Sequence, residues 1–137
     1  MPETSAPERL LRAIDYPGDY PPGGRPFTLV VDGGEMVLSE QDGRLMLQKT
    51  LRRPDGEPAD LAQLAGYATG RMLREEAVLA WDPQEEAPVL WQDVPAEASE
   101  EVLRRFFEVF ATSCEWWMAR LGEAQQVERM PEMVIMP

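Results

Sequence analysis

Neighbouring acidic residues are the side chains of this sequence that could do acid–base chemistry. Glu85 and Glu86 form one pair, Asp32 and Glu35 another, and both pairs fall in predicted turns. Two carboxylates can hydrolyse a glycosidic bond when the fold holds them at a set separation and in different environments. Acids in turns are solvated by water and lack such environments. We therefore interpret both pairs as solvated surface residues and predict that the protein is not an enzyme.

The absence of histidine and the single cysteine exclude further kinds of chemistry. Without histidine there is no Ser–His or Cys–His nucleophile pair and no imidazole ligand for zinc. The one cysteine, Cys114, can form neither an internal disulfide nor a thiolate metal cluster, and a single thiol fits a reducing compartment. Because no base is available to activate it, we expect Cys114 to be an inert buried thiol. The sequence predicts no cofactor and no bound metal.

The charge of the chain restricts its partners. Its 137 residues include 25 acidic and 13 basic ones, for a net charge of −12. Such a field repels phosphate backbones and anionic lipid headgroups, so we predict no nucleic-acid and no membrane partner. The sequence has no apolar run of about 18 residues, and its first residues do not resemble a signal peptide. Solubility or a basic partner would explain the acidity.

The elements that must position any site begin with a short helix. Ser5 and Glu8 fit a capping box, with Pro7 near the helix start. The proline- and glycine-rich run 16–24 ends this helix. Its apolar face carries Leu10, Leu11 and Ile14.

Three strands are predicted next, at residues 27–31, 36–39 and 45–51. The turns that join them, 32–35 and 41–44, contain glycine where a positive φ is needed. Loops this short cannot make parallel crossovers, so the three strands form an antiparallel meander. In the first strand the residues on one face are Phe27, Leu29 and Val31.

Helices and strands also alternate in the second half of the chain. A second helix begins at Asp60, residues 77–94 form a hairpin, and a long helix runs over 99–121. The order α-β-β-β-α-β-β-α predicts an α+β sandwich, an antiparallel twisted sheet with helices packed on it. We predict a single domain over residues 1–122, followed by a flexible tail at 123–137.

The long helix has more apolar residues than one core needs, since a single stripe usually suffices. One stripe is formed by Leu103, Phe106, Phe110, Cys114, Trp117 and Leu121, and a second by Val102, Val109 and Trp116. Tryptophan is enriched at interfaces. We therefore expect one of Trp116 and Trp117 to point inward and the other to lie at an interface or shallow groove.

This order of elements, the length and the acidity resemble the class I chaperones of bacterial type III secretion. Residues 27–40 (FTLVVDGGEMVLSE) are similar to the first hairpin of that family. The closing segment is similar too, with a strand that ends in Trp81-Asp82 and a second strand that leads to Val94-Pro95. In the long helix, Ala111 and Trp117 match the alanine and tryptophan of the family. The resemblance covers residues 5–121; the loop 16–25 and the tail are longer than usual.

The resemblance implies a cytoplasmic bacterial homodimer without enzymatic activity. Such a dimer would bind the N-terminal chaperone-binding segment of a secreted effector in extended form and keep it soluble and export-competent. The effector contacts implied are Leu10, Leu11, Ile14, Phe27, Leu29, Val31 and Trp116. The dimer contacts implied, from the second helix and the strand 77–81, are Leu64, Ala68, Met72, Val78, Leu79 and Trp81.

The sequence is also compatible with a different class of binding protein. The acidity also fits an inhibitor or immunity-type protein that masks a basic site on a toxin or DNA-binding partner. Binding led by charge weakens at high ionic strength, whereas binding led by an apolar groove persists.

Overall fold

Among the residues that it describes, the computed structural model has a five-stranded sheet with two complete helices on one of its faces. It describes residues 5–18, 20, 26–31, 34–53, 55–57, 59–60, 62, 64–66 and 77–129, with side chains as far as 122. The elements are α1 (Ala6–Ala13), β1 (Phe27–Val31), β2 (Gly34–Gln41), β3 (Arg44–Thr50), β4 (Val78–Asp82), β5 (Ala87–Val94) and α2 (Glu100–Arg129). The predicted α+β class and its antiparallel sheet are confirmed. Of the predicted second helix, residues 62 and 64–66 are helical, and most of the rest lies outside the described residues.

The strands are ordered β1-β2-β3-β5-β4, and every neighbouring pair is antiparallel. The turn between β2 and β3 has two residues of positive φ, Asp42 at 53° and Gly43 at 76°. This geometry matches the twist of a hairpin and keeps Gln41 paired with Arg44. Pairing next to the turns makes β2 longer at both ends than the predicted 36–39. β1 and β4 form the two edges of the sheet.

One face of the sheet carries the hydrophobic core. Alternate residues of β3 and β5 point toward the helices, since side chains of a strand alternate between faces. In α2, Phe110 and Trp117 are fully buried against this layer. The largest apolar side chains with no exposed surface are Leu10, Leu29, Leu38, Leu45, Leu47, Leu51, Leu64, Leu103, Phe110 and Trp117.

Side-chain oxygens cap both helices at their first turns. Ser5 Oγ accepts a hydrogen bond of 3.3 Å from the Glu8 amide, and Ser99 Oγ accepts one of 3.3 Å from the Val102 amide. These contacts confirm both predicted helix starts. The Arg9 guanidinium donates to the carbonyl oxygens of Ala96, at 3.0 Å, and Ala98. Arg9 therefore ties α1 to the loop that leads into α2.

Helix α2 is longer than predicted. It continues through Gly122 to Arg129, so the predicted end at Leu121 is wrong. A glycine in a helix costs about 1 kcal/mol relative to alanine, and the glutamate, glutamine and alanine that follow favour helix enough to offset it. Residues 130–137 lie outside the described residues, and the flexible tail at 123–137 stays a prediction.

A buried glutamine lies in the middle of the sheet. Gln92 of β5 is 1% exposed and points toward the helices from between Leu90 and Val94. Neither its amide nitrogen nor its amide oxygen has a hydrogen-bond partner among the described residues. A buried polar group without a partner carries its full desolvation cost.

We expect Gln92→Met to raise the free energy of unfolding by about 1–2 kcal/mol, because a side chain of similar size removes the unpaired amide. Urea denaturation measures the change. Gln48→Met is the control: Gln48 is half-buried on the opposite face of the sheet, and its replacement should change stability by less than about 0.5 kcal/mol. A less stable Gln92→Met protein would show that the amide is satisfied.

Candidate functional site

A groove of about 360 Å³ opens between the end of α1, strands β1 and β2, and the middle of α2. We call it the α1–α2 groove. Three charged side chains line it: Asp15, Lys49 and Glu115. The remaining lining residues are Ile14, Tyr16, Pro17, Val30, Val31, Gly34, Met36, Phe107, Ala111 and Cys114.

The end of α1 forms one wall of the groove through a helix-stopping turn. Asp15 has a φ of 55°, and its amide donates to Arg12 O at 3.1 Å, while the Tyr16 amide donates to Leu11 O at 2.9 Å. This pair of bonds is the Schellman motif, with aspartate in the position that glycine usually holds. The turn points Tyr16 toward β1, where its ring meets Phe27 edge-on at 6.0 Å.

The outer edge of β1 borders the groove and is open. Val30 donates its amide hydrogen to the Tyr16 hydroxyl at 3.2 Å, so this amide faces away from β2. In an antiparallel pair, alternate residues direct their amides to the same side. The Thr28 amide therefore faces away from β2 as well. Among the described residues, no strand pairs with this edge. An open edge is a template for pairing with another chain.

Lys49 lies at the floor of the groove and is 9% exposed. It is the single lysine of the sequence. Its ammonium donates to Glu35 O at 2.8 Å. No carboxylate in the described part of the chain forms an ion pair with it.

Sequence reasoning missed Lys49, although a signal was present. Residues 45, 47, 49 and 51 of the third strand share one face, and leucine occupies the other three positions. A lysine in phase with three core leucines indicates either a buried charge or a site.

Gly34 makes room for this ammonium. Its φ is +114°, a conformation that side chains with a Cβ rarely adopt. A Cβ placed at this position would lie 2.9 Å from Lys49 Nζ. The glycine-rich turn thus has a packing role in addition to reversing the chain.

The predicted effector contacts separate into core and groove residues. Ile14 and Val31 line the groove together, whereas Leu10, Leu11 and Leu29 are at most 2% exposed. These three leucines belong to the core cluster that both helices and the sheet form. They offer no surface to a partner in the single chain.

The two predicted aromatic contacts lie outside the groove. Phe27 is half-buried between the rings of Tyr16 and Tyr20. Burial raises the pKa of the Tyr20 phenol, and the charge of Glu40 raises it further, so this ring stays uncharged. Trp116 is half-buried on α2.

The two adjacent tryptophans of α2 have different environments. Trp117 is fully buried and packs edge-on against Trp116 at 5.2 Å. The Arg120 guanidinium lies 4.9 Å from the centre of the Trp116 ring. One tryptophan therefore points inward, as predicted. The second apolar stripe of α2 faces away from the core, since Val109 is 49% exposed.

The predicted dimer contacts are placed unevenly. Leu64 is fully buried in the core, and Ala68 and Met72 lie outside the described residues. Val78 and Leu79 are half-buried on β4. Trp81, on the same edge strand, is 50% exposed and offers the largest apolar surface among the four described members of the set.

Glu85 and Glu86, the acidic pair that the structure describes in full, are solvent-facing turn residues. They lie between β4 and β5, and Glu85 pairs with Arg52 at 2.8 Å. Asp32 lies outside the described residues. Within the described ranges, no group of three metal-ligating side chains occurs, and no helix has the length and apolarity to cross a bilayer.

Comparison with known proteins identifies the family of this chain. The profile of the Tir chaperone protein (CesT) family matches residues 28–118, from β1 into α2. The chain belongs to this family. The CesT family comprises type III secretion chaperones, so the resemblance seen in the sequence is confirmed at the level of the family. Comparison with curated protein sequences gives no match.

Solved structures share the fold of this CesT-family chain. A chain from the structure of the HopA1–SchA chaperone–effector complex has a TM-score of 0.63 at 16% identity, covering 82% of this chain and 89% of that one. A chain from the crystal structure of the ExsC–ExsE complex has a TM-score of 0.64 at 14% identity, covering 85% and 91%. At such identities the likeness concerns the fold alone.

We expect Gly34→Ala to lower the free energy of unfolding by about 1–3 kcal/mol, because alanine is strained at this φ and its Cβ displaces Lys49. Chemical denaturation measures the loss. Gly66→Ala is the matched control, since Gly66 is helical and an added methyl group would meet no atom within 4 Å; this change should be neutral or stabilising. Equal effects of the two changes would refute a special role for Gly34.

Proposed function

We propose that this CesT-family chain binds the N-terminal chaperone-binding segment of a secreted effector in extended form. Binding keeps the effector soluble and competent for export. The observation that carries the proposal is the α1–α2 groove, which lies directly beside the open edge of β1. Family membership supports the chaperone class, and the groove supports the mode of binding.

The open edge of β1 and the α1–α2 groove contact different parts of an extended effector segment. Main-chain groups of the segment pair with the outward amide and carbonyl of Thr28 and with the outward carbonyl of Val30, because the Val30 amide already donates to the Tyr16 hydroxyl. Alternate side chains of the segment point to one face, where the apolar walls formed by Ile14, Val31 and Phe107 receive them. A segment held in this way cannot fold or aggregate. Binding must offset the conformational entropy that the segment loses when it becomes ordered. Such binding requires no cofactor.

A narrower resemblance suggests the partner. The acidity, the order of elements and the motifs of residues 78–121 resemble in particular SpcU, the chaperone of the phospholipase effector ExoU. We therefore propose a phospholipase-type effector as the first partner to test, in the bacterial cytoplasm.

We also propose that the protein is a homodimer, with its contact at the second helix and β4. Trp81 supports this placement, because half of a large apolar side chain is exposed on an edge strand. Four strand spacings of about 4.8 Å separate the β1 edge from the β4 edge. The two edges are therefore far enough apart for an effector segment and a second subunit to bind together.

Ala111→Phe should abolish capture of the effector, because the added ring fills the groove from α2. The measurement is affinity capture of the full chain from native lysate, followed by limited proteolysis of the bound protein. We expect one secreted protein, retained through a protected N-terminal segment in moderate and in high salt. Thr112→Phe, one residue away on the exposed side of α2, is the control and should capture normally.

A folded basic domain as the only captured partner, released by salt, would overturn the proposal in favour of an acidic inhibitor. Equal capture by the Ala111→Phe and Thr112→Phe proteins would exclude the groove as the binding site.

Trp81→Glu should convert the dimer to a monomer at micromolar concentration, because a charge cannot be buried unpaired in an apolar contact. Sedimentation velocity measures the change. Val30→Glu is the matched control: Val30 is 64% exposed on the opposite edge strand and should leave the dimer intact. A dimeric Trp81→Glu protein would place the subunit contact elsewhere.

A further inference from the structure

We infer that the α1–α2 groove is a binding site for a small amphipathic carboxylate, a medium-chain fatty acid whose carboxylate pairs with the Lys49 ammonium. The acid lies inside the groove, where Lys49 is part of the lining, and its binding needs no strand added to β1. The inference goes beyond the proposed binding of an effector, because it gives the groove a ligand of a different chemical class.

The first argument is the environment of the Lys49 ammonium. The side chain is 9% exposed, and an ammonium has several N–H donors and no acceptor. The described residues provide one acceptor, Glu35 O at 2.8 Å, and no carboxylate among them forms an ion pair with Lys49. Buried charges in proteins are usually paired. The remaining donors of Lys49 therefore favour an anion that enters the groove.

The second argument is the character of the groove around this ammonium. Apolar side chains form most of the lining, among them Ile14, Val31, Met36 and Phe107. The volume of about 360 Å³ lies within the range of small-molecule pockets, about 300–1,000 Å³, in which an apolar lining is combined with a few polar groups that orient the ligand. One buried cation in an apolar groove matches a ligand with one carboxylate and an aliphatic chain.

The third argument is length. The ammonium donates to a carbonyl of β2, and the groove extends past β1 to Tyr16, whose hydroxyl accepts from the outward Val30 amide. This path crosses about two strand spacings, ~10 Å. With C–C bonds of about 1.5 Å, a zigzag chain of about eight carbons spans a similar distance. Octanoate is therefore the acid to test first.

The other charges of the groove determine the orientation of the acid. Asp15, at the end of α1, and Glu115, on α2, belong to the lining and are exposed. They repel a carboxylate placed beside them, so the carboxylate of a bound acid is directed inward to Lys49 and its chain outward. A second carboxylate at the far end of the chain would lie near Asp15 and Glu115 and would oppose binding.

Titration of octanoate into the full-length protein labelled with carbon-13 lysine tests the inference. The label gives one side-chain signal, because Lys49 is the single lysine. We expect a saturable shift of this signal, with a dissociation constant of about 0.1–1 mM. Octanamide has the same chain without the charge and should bind about tenfold more weakly. Octanedioate, with its second carboxylate, should bind no more tightly than octanamide.

Three variants assign the binding to the groove, with backbone amide signals as the measurement. Lys49→Met, checked for folding by circular dichroism, should bind octanoate no more tightly than octanamide. Ala111→Phe should bind neither compound, because the added ring fills the groove from α2. Thr112→Phe, on the exposed side of α2, is the control and should bind both as the wild-type chain does.

Equal affinity of the wild-type chain for octanoate and octanamide would overturn the role of Lys49, and so would the absence of a saturable shift. Undiminished binding of octanoate to the Ala111→Phe protein would exclude the groove as the site. None of these results decides the proposed function, which is tested separately by capture of the effector. Capture without octanoate binding would leave that function standing, and octanoate binding without capture would leave the fatty-acid site.

Discussion

The packing of α2 against one face of the sheet is the contact on which the other features depend. Phe110 and Trp117 bury their full surface there, together with the leucines of β3 and β5. Burial of large side chains on this scale is the main favourable term in folding. Because α1 has eight residues, it covers only part of the same face. The α1–α2 groove is the space left where α1 ends and α2 continues.

The sheet has two free edges, and different side chains lie at each of them. β1 lies beside the groove and has the Tyr16 hydroxyl on one of its outward amides. β4 carries a half-exposed tryptophan. Edge strands are a hazard for soluble proteins, which usually protect them. A net charge of −12 keeps such a protein dispersed, so its acidity is compatible with apolar binding surfaces.

Two polar residues on the core face show where the fold departs from an ideal core. Gln92 lies deep in the sheet with no partner among the described residues, and Lys49 lies at the groove with one. Departures of this kind are expected at functional sites, where stability is exchanged for chemistry. Lys49 lines the α1–α2 groove, whereas Gln92 does not.

Features that depend on neighbours along the chain could be predicted from the sequence. The serine caps, the glycine turns and the alternation in β1 are local, and they sufficed for the order of elements and the α+β class. Which apolar residues contact each other and which contact solvent depends on how the elements pack in three dimensions. Leu10, Leu11 and Leu29 were predicted as partner contacts and are core in the single chain, because the apolar faces of α1 and β1 both turn toward the interior between sheet and helices. The burial of Lys49 beside the groove became visible only when β3 was placed under α2, since burial is a property of the packed chain.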